Sequence, residues 1–436
     1  MRGLSWPGRS AQMCRPPRPP EDESSEISRM VTYTSLFAAR EFRYLYAGYA
    51  LSYAGDQLAA VAVAVLVFER TGSSMLTAIA FASAFLPSAL SPWLATFADR
   101  LPWRRLLIVC DLARAALVAA LAIPGVPIGA AIAVLYLAHA FTPPFKAARA
   151  ALMPQVLSGE AYIAGNGLTN LTYQISQVAG FAIGGAVVAA ITPAGALLVN
   201  AATFALSALL IHRGVTPRPA PSNGGTAWAP FREARDGLRY VFADPWLRSC
   251  LLLVWTVPAF ALAFEAIAYP FARELGGGPP LAGVLLAMGA LGFAAGALLL
   301  TRWVRPPRRD RLLVPLAMLA GAALLPLLAD PPAPVVLAAL FASGLGCSFS
   351  TPLNAEFIRR VAAGFRGRAM GVAIAGIAVG NGAGFLTAGW ILELGLSASV
   401  TAGLCGLAAL VAAVVFGRTW QRDAPDQPGK STADEA

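Results

Sequence analysis

The chain has 436 residues, of which 57% are hydrophobic and 13% charged, and its formal net charge is +10. A soluble protein carries about 25% charged residues, and long uncharged segments recur along most of this chain. The composition therefore excludes a soluble globular protein and predicts a polytopic membrane protein.

The positive charge does not indicate a nucleic-acid partner. The arginines lie in connections between apolar segments, and the sequence has no soluble basic domain to carry a nucleic-acid surface. We interpret them as topology signals, because basic residues are retained on the cytoplasmic side of a membrane. The five cysteines have no metal-ligand spacing, so we expect apolar packing residues and no metal site.

The chain begins with residues 1–33, which are rich in Arg and Pro, then acidic, and lack the apolar core of a signal peptide. We expect a disordered cytoplasmic extension, and Met30 is a candidate for the true start. Twelve segments long enough to cross the bilayer as helices follow. Their predicted ranges are 44–68, 74–97, 104–123, 128–148, 166–191, 193–212, 249–271, 280–303, 312–329, 333–356, 369–392 and 396–417.

The distribution of charge supports an even number of spans. With twelve helices, only Arg70 and Arg273 lie in loops on the side opposite the termini, and Arg114 lies within helix 3. Every other Lys and Arg lies on the side of both termini. This bias predicts cytoplasmic termini in the inner (cytoplasmic) membrane of the cell.

The longest polar interval, 214–248, separates a six-helix bundle at 34–213 from a second bundle at 249–418. Its Pro- and Gly-rich first part predicts a flexible linker, and 231–241 predicts an amphipathic helix on the inner membrane face. A cytoplasmic tail is expected at 419–436.

The two halves carry matching features at one offset. Adding 209 residues relates Asp56 to Glu265, Thr142-Pro143 to Thr351-Pro352, and Asp99-Arg100 to Arg308-Arg309. Each pair falls on the corresponding element, which favours a duplication. Two bundles related by an axis along the membrane normal are a known transporter plan.

One loop carries a family resemblance. The segment Asp99-Arg100-Leu101-Pro102-Trp103-Arg104-Arg105 resembles the major facilitator superfamily signature Gly-x-x-x-Asp-Arg-x-x-x-Arg-Arg/Lys, with Ala95 in place of the leading Gly. The segments 147–154 and 366–371 resemble the macrolide-efflux and siderophore-export branch. The resemblance covers residues 34–418. It implies an all-α membrane protein with twelve transmembrane helices in two pseudo-repeated six-helix bundles.

The resemblance also implies a gate. In the family the loop acid meets the N-terminus of helix 11, whose dipole attracts an anion, so Asp99 is expected to latch the cytoplasmic side near Gly367. Arg100 and Arg104 are expected to pair with Asp111, three residues before Arg114. The remaining gating candidates are Arg105 and Arg149. A charged hairpin that only sets topology is the alternative, and Lys146 and Arg149 are expected to anchor the cytoplasmic ends rather than bind substrate.

Two acids lie within the predicted spans. Asp56 falls in helix 1 and Glu265 at the equivalent place in helix 7. An ionisable residue at membrane depth usually faces a cavity or a charged partner. Because helices 1 and 7 line the central cavity of the family, the pair predicts a site for a proton and for a cationic substrate. An interhelical hydrogen bond without a role in transport is the alternative for each acid.

Other polar residues and glycines complete the candidates. The further binding candidates are Gln57, Asn170, Gln174, Gln177 and Asn381, and His139 is a candidate proton shuttle. A satisfied interhelical hydrogen bond is the alternative for each. Close helix packing is predicted at Gly180 and Gly184 of helix 5 and at Gly376, Gly380 and Gly384 of helix 11.

These features predict a monomeric secondary transporter in the lipid bilayer. We expect it to export an amphipathic small molecule, resembling a drug, antibiotic or siderophore, by alternating access. The proton gradient would supply the energy, with no cofactor. The sequence has no phosphate-binding loop or nucleophile triad, so no enzyme activity is expected. The alternatives are a facilitator or importer without proton coupling and, in another class, a non-transporting sensor or scaffold. The acidic candidates favour a cationic or neutral substrate.

Overall fold

A computed structural model describes residues 36–94, 101–219 and 229–422, and the regular structure in these ranges is helical. The expected N-terminal extension, the pair Asp99 and Arg100, and the tail beyond residue 422 lie outside the described residues. The helices that bear on the membrane are α1 Arg40–Thr71, α2 Ser74–Leu90, α3 Trp103–Leu121, α4 Ile128–Val156, α5 at 159–191, α6 at 193–214, α7 Pro245–Glu274, α8 Pro279–Arg302, α9 Arg311–Ala329, α10 Ala333–Arg360, α11 Ala363–Glu393 and α12 Ala398–Arg422.

The continuous helix Gly159–Gly214 contains two of these spans. Its 56 residues correspond to about 84 Å at 1.5 Å per residue, far more than one bilayer core. Thr192 has the non-helical angles φ 69° and ψ 157° and divides it into α5 and α6. The sequence places a break at the same Thr-Pro step, because proline cannot continue the preceding hydrogen-bond ladder.

The described helices are consistent with the predicted twelve spans. Nine are long and apolar enough to cross a membrane, counting Gly159–Gly214 once. Dividing that helix gives ten, and α2 and α3 make twelve. α2 is short and apolar, whereas the 19 residues of α3 include two arginines in its first turn and the pair Asp111 and Arg114.

Several helices predicted as continuous are interrupted. The regular helix of α2 ends at Ala82, a 3-10 helix follows at Leu86–Leu90, and a short helical segment at Ser91–Leu94 comes after α2. Pro87 lies in that 3-10 segment and has no backbone donor. α4 and α10 are interrupted at equivalent places, just before the Thr-Pro steps of the two halves. α7 contains a 3-10 segment at Ala263–Ile267, where α1 is continuous.

The apolar core shows how the two bundles meet. We call the side that holds Arg40 and Arg422 the terminal side, and the opposite side the far side. In the far half of the molecule a single cluster of buried residues includes members from both bundles, such as Val65 and Phe271. Toward the terminal side the core consists of two separate clusters, one in each bundle. The apolar core is therefore continuous between the bundles on the far side and divided between them toward the terminal side.

The polar interval between the bundles contains a helix at Ala229–Ala243, here called the linker helix. The Tyr240 ring stacks on the Phe365 ring at 4.5 Å, and its hydroxyl accepts a hydrogen bond from the Ala362 amide at 3.2 Å. The linker helix thus contacts the beginning of α11 on the terminal side.

Candidate functional site

The N-terminal bundle encloses a cavity of about 230 Å³, lined by residues from α1 to α6. A second cavity of about 520 Å³ adjoins it, and the two share Tyr49, Lys146, Arg149 and Tyr173. Asn166 lines the second cavity close to the terminal-side end of α5. The polar path therefore leads from the middle of the helices toward the terminal side, where the apolar core is divided between the two bundles.

Asp56 lies at the deep end of this path, near the midpoint of α1. Its side chain keeps 30% of its accessible surface because it faces the cavity. The Arg114 Nη1 atom of α3 lies 4.0 Å from the Asp56 Oδ2 atom. Asn200 of α6 also lines the cavity and interacts with the Asp56 carboxylate. A carboxylate that is accessible to the cavity and lies beside a cationic group can bind and release a proton.

Arg114 is held in place by a buried acid behind the cavity and by two aromatic rings of the cavity wall. Its guanidinium donates to the Asp111 carboxylate, and Asp111 is fully buried. The guanidinium also lies over the rings of Phe145 and Phe204, at 4.6 Å and 4.3 Å from the ring centroids. Aromatic faces attract cations. These contacts fix Arg114 while leaving part of its charge directed at Asp56.

The predicted binding residues are distributed over several environments. Gln57 lines the first cavity and Asn170 the second. Gln174 and Gln177 are half-buried on α5 and do not line either cavity. Asn381 is buried in α11, and its Oδ1 atom has no hydrogen-bond partner among the described residues. His139 lines the first cavity, with its Nδ1 atom 3.2 Å from the Ser83 hydroxyl.

Glu265, the counterpart of Asp56, lies in a different setting. It is buried in the 3-10 segment of α7 and does not line either cavity. Its charge acts on Tyr173 of α5, across the boundary between the bundles. The two acids are therefore related in sequence but not in accessibility.

The predicted gating residues have other contacts than expected in this conformation. Arg104 donates to the His212 carbonyl oxygen at 2.5 Å, whereas the partner of Asp111 is Arg114. Arg105 is exposed, and a β-carbon at Gly367 would meet open space. Arg149 lies in the cavity, 3.8 Å from the Tyr49 ring centroid, and not at an anchoring position. Asp99 and Arg100 lie outside the described residues.

The predicted packing glycines lie within bundles. A β-carbon at Gly180 or Gly184 would contact Gln57 or Leu58 of α1, and one at Gly376, Gly380 or Gly384 would meet Trp255 or Ala259 of α7. Two other glycines lie between the bundles. A β-carbon at Gly185 of α5 would overlap Pro279, and one at Gly283 of α8 would overlap the Phe181 carbonyl oxygen.

The far side is closed by contacts that the sequence did not indicate. The Tyr269 hydroxyl of α7 donates to Glu69 of α1 at 2.7 Å. Glu393 of α11 accepts from the Met75 amide at 3.1 Å and from the Ser73 hydroxyl at 3.4 Å, at the beginning of α2. Closer to the terminal side than these contacts, the Phe385 ring packs against the rings of Phe81 and Phe85. Two carboxylates at helix ends, one in each half, were the signal that could have identified this surface.

Comparison with known proteins identifies the family. The sequence profile of the Major Facilitator Superfamily matches residues 45–330 and 257–436. The chain belongs to the major facilitator superfamily. This superfamily member is 29% identical over 353 residues to the multidrug efflux pump Tap of Mycobacterium tuberculosis, covering 73% of this chain and 79% of Tap. In Mycolicibacterium fortuitum a Tap protein is 26% identical over 302 residues, covering 65% and 72% of the two chains.

Solved structures support the same fold. The nucleoside transporter NupG aligns with a TM-score of 0.66 at 14% identity, covering 87% of this chain and 99% of NupG. A bacterial homologue of the lysosomal transporter Spinster, in an inward-facing conformation, aligns with a TM-score of 0.63 at 14% identity, covering 88% and 98%. This superfamily member is therefore a multi-pass membrane transporter and not an enzyme.

Proposed function

We propose that this superfamily member exports an amphipathic small molecule from the cytoplasm in exchange for protons. The observation that carries the proposal is an accessible carboxylate, Asp56, beside a fixed arginine in a mid-membrane cavity. The Tap relatives, which are named multidrug efflux pumps, support export. The cavity also has aromatic walls, which suit an amphipathic molecule.

The terminal side is proposed to face the cytoplasm. The loops on that side hold nearly all of the Lys and Arg residues, and basic loops are retained on the cytoplasmic side. In this orientation the far side is external, and the bundles have the arrangement of an inward-facing transporter. Substrate would enter from the cytoplasm between the two bundles.

Asp56 would couple the two fluxes. In the inward-facing state its carboxylate is free to hold a basic or polar group of the substrate. After the bundles rock and the far side opens, a proton from outside would neutralise Asp56 and weaken that hold. Release of the proton into the cytoplasm would then reset the cycle. Exchange follows because one carboxylate serves both ligands.

A transport assay in liposomes tests this proposal. A thermal-shift screen of the purified protein against antibiotics, siderophores and lysolipids first selects a ligand. Protein inserted with its terminal side outward should accumulate that ligand when the lumen is made acidic. Asp56→Asn should abolish the accumulation, because an amide cannot carry the proton. Asp236→Asn, an acid on the linker helix outside the cavity, is the matched control and should transport normally.

Three results would contradict the proposal. Equal accumulation by Asp56→Asn and wild type would show that Asp56 does not couple ligand transport to proton transport. Wild-type flux that follows only the ligand gradient, whatever the pH gradient, would indicate a facilitator. Transport in the opposite direction under the same gradient would indicate an importer.

A further inference from the structure

The terminal-side end of the cavity carries two cationic side chains that form no ion pair with an acid in the described part of the chain. Lys146 and Arg149 lie three residues apart on α4, so they share one face of the helix, and both line both cavities. Neither forms an ion pair with any described residue. Arg149 lies over the Tyr49 ring, and Lys146 is exposed to the cavity.

The charges along the cavity are separated in space. Arg114 lies between two acids, Asp111 and Asp56, at the deep end, and the two cations Lys146 and Arg149 lie at the terminal-side end. Asp56 and Lys146 are close enough for each to act on the charge of the other. A cation in a largely apolar cavity loses hydration, and an anionic ligand compensates for that loss. The arrangement therefore matches a molecule with a basic group and an acidic group.

We propose that Lys146 and Arg149 form a subsite for the acidic group of an amphoteric aromatic substrate, with the basic group of the substrate directed toward Asp56. Tyr49 and Tyr173 border both cavities and supply aromatic faces and hydroxyl groups, and Asn170 supplies an amide. This subsite names the substrate class and rests on the proposed function, because it takes the cavity as the transport site. It replaces the cationic or neutral substrate that the sequence favoured.

Two fluorescent probes that differ by one carboxylate test the subsite. Nε-dansyl-lysine has an amino group, a carboxylate and an aromatic ring system, and dansylcadaverine is the same molecule without the carboxylate. Wild-type protein in detergent should bind Nε-dansyl-lysine about tenfold more tightly, the factor expected of charge-assisted hydrogen bonds. Lys146→Gln and Arg149→Gln should each remove most of this preference while binding dansylcadaverine at least as well as wild type.

The control and the contradicting results both concern the preference for the probe that carries a carboxylate. Arg232→Gln changes an exposed base on the linker helix and should keep the wild-type preference. Wild type that does not prefer Nε-dansyl-lysine contradicts the subsite, as does a preference that survives in both cavity variants. Equal loss of both probes in the variants would indicate a purely structural role and also contradict it. Equilibrium binding needs no pH gradient, so failure of the transport experiment would not contradict the subsite. Likewise, failure of the binding experiment would not contradict proton-coupled transport.

Discussion

At the scale of single residues, Asp111 and Arg114 form a buried ion pair beside the cavity. Asp111 is fully buried, and the Arg114 side chain keeps 5% of its accessible surface. Removing one partner from a buried ion pair leaves an uncompensated charge, which destabilises a protein by about 3–5 kcal/mol. This pair lies within α3 and keeps the Arg114 charge in position beside Asp56.

We predict that Arg114→Gln markedly lowers the midpoint of thermal unfolding of the purified protein. The double variant Asp111→Asn, Arg114→Gln should recover more than half of that loss, because the buried carboxylate is removed as well. Arg105→Gln, an exposed position on the same helix, should melt as wild type does. A double variant no more stable than Arg114→Gln would show that Asp111 is not the reason for the loss.

The site residues show what the sequence could and could not predict. An acid in the middle of an apolar helix was recognisable, and Asp56 does face a cavity. Lys146 and Arg149 were interpreted as anchors because they lie near the end of the predicted span. α4 in fact continues to Val156, and both residues line the cavities. The matching sequence positions of Asp56 and Glu265 did not reveal that, of these two acids, Asp56 alone lines the cavity. The accessibility of a side chain depends on where the helices around it are interrupted.

At the scale of helices, α5 and α8 approach each other closely at the boundary between the bundles. A β-carbon at Gly283 would overlap the Phe181 carbonyl oxygen, so a larger side chain forces the helices apart where the far side must close. The glycines at 376, 380 and 384 instead pack α11 on α7 within one bundle. Substitution there is expected to destabilise the C-terminal bundle rather than shift the conformation.

We predict that Gly283→Val shifts the protein toward a conformation open on the far side. Spin labels at Arg70→Cys and Arg273→Cys, at the far-side ends of α1 and α7, should report a longer distance in the variant. Gly129→Val is the control, because a β-carbon there would meet no atom within 4 Å. An unchanged distance distribution in Gly283→Val would show that this contact does not limit closure.

The contact of Glu393 with α2 on the far side leads to a second prediction at the scale of helices. Glu393 binds the beginning of α2, where a helix N-terminus attracts an anion. Glu393→Ala should increase the far-side-open population by roughly fivefold, since one such hydrogen bond contributes about 1 kcal/mol. The same pair of spin labels measures the change. A wild-type distance distribution in Glu393→Ala would show that Glu393 does not stabilise closure of the far side.

At the scale of the whole molecule, the organisation into two bundles was predictable from sequence. The apolar segments, the break at Thr192 and the polar interval before α7 all correspond to features of the structure. The conformation was not predictable, because no local pattern states which side of two rocking bundles is closed. That information lies in the core, which is joined on the far side and divided toward the terminal side. It depends on contacts between residues such as Glu69 and Tyr269, 200 positions apart.

The central claim is that one carboxylate in a moving cavity serves both proton and substrate. The most direct measurement is proton movement during substrate exchange in liposomes, using the ligand selected by thermal shift. Wild type should move protons opposite to the ligand. Asp56→Asn should bind the ligand more weakly, and the labelled-for-unlabelled exchange that it retains should proceed without proton movement. Proton flux that persists in Asp56→Asn at the wild-type ratio to ligand would contradict the account.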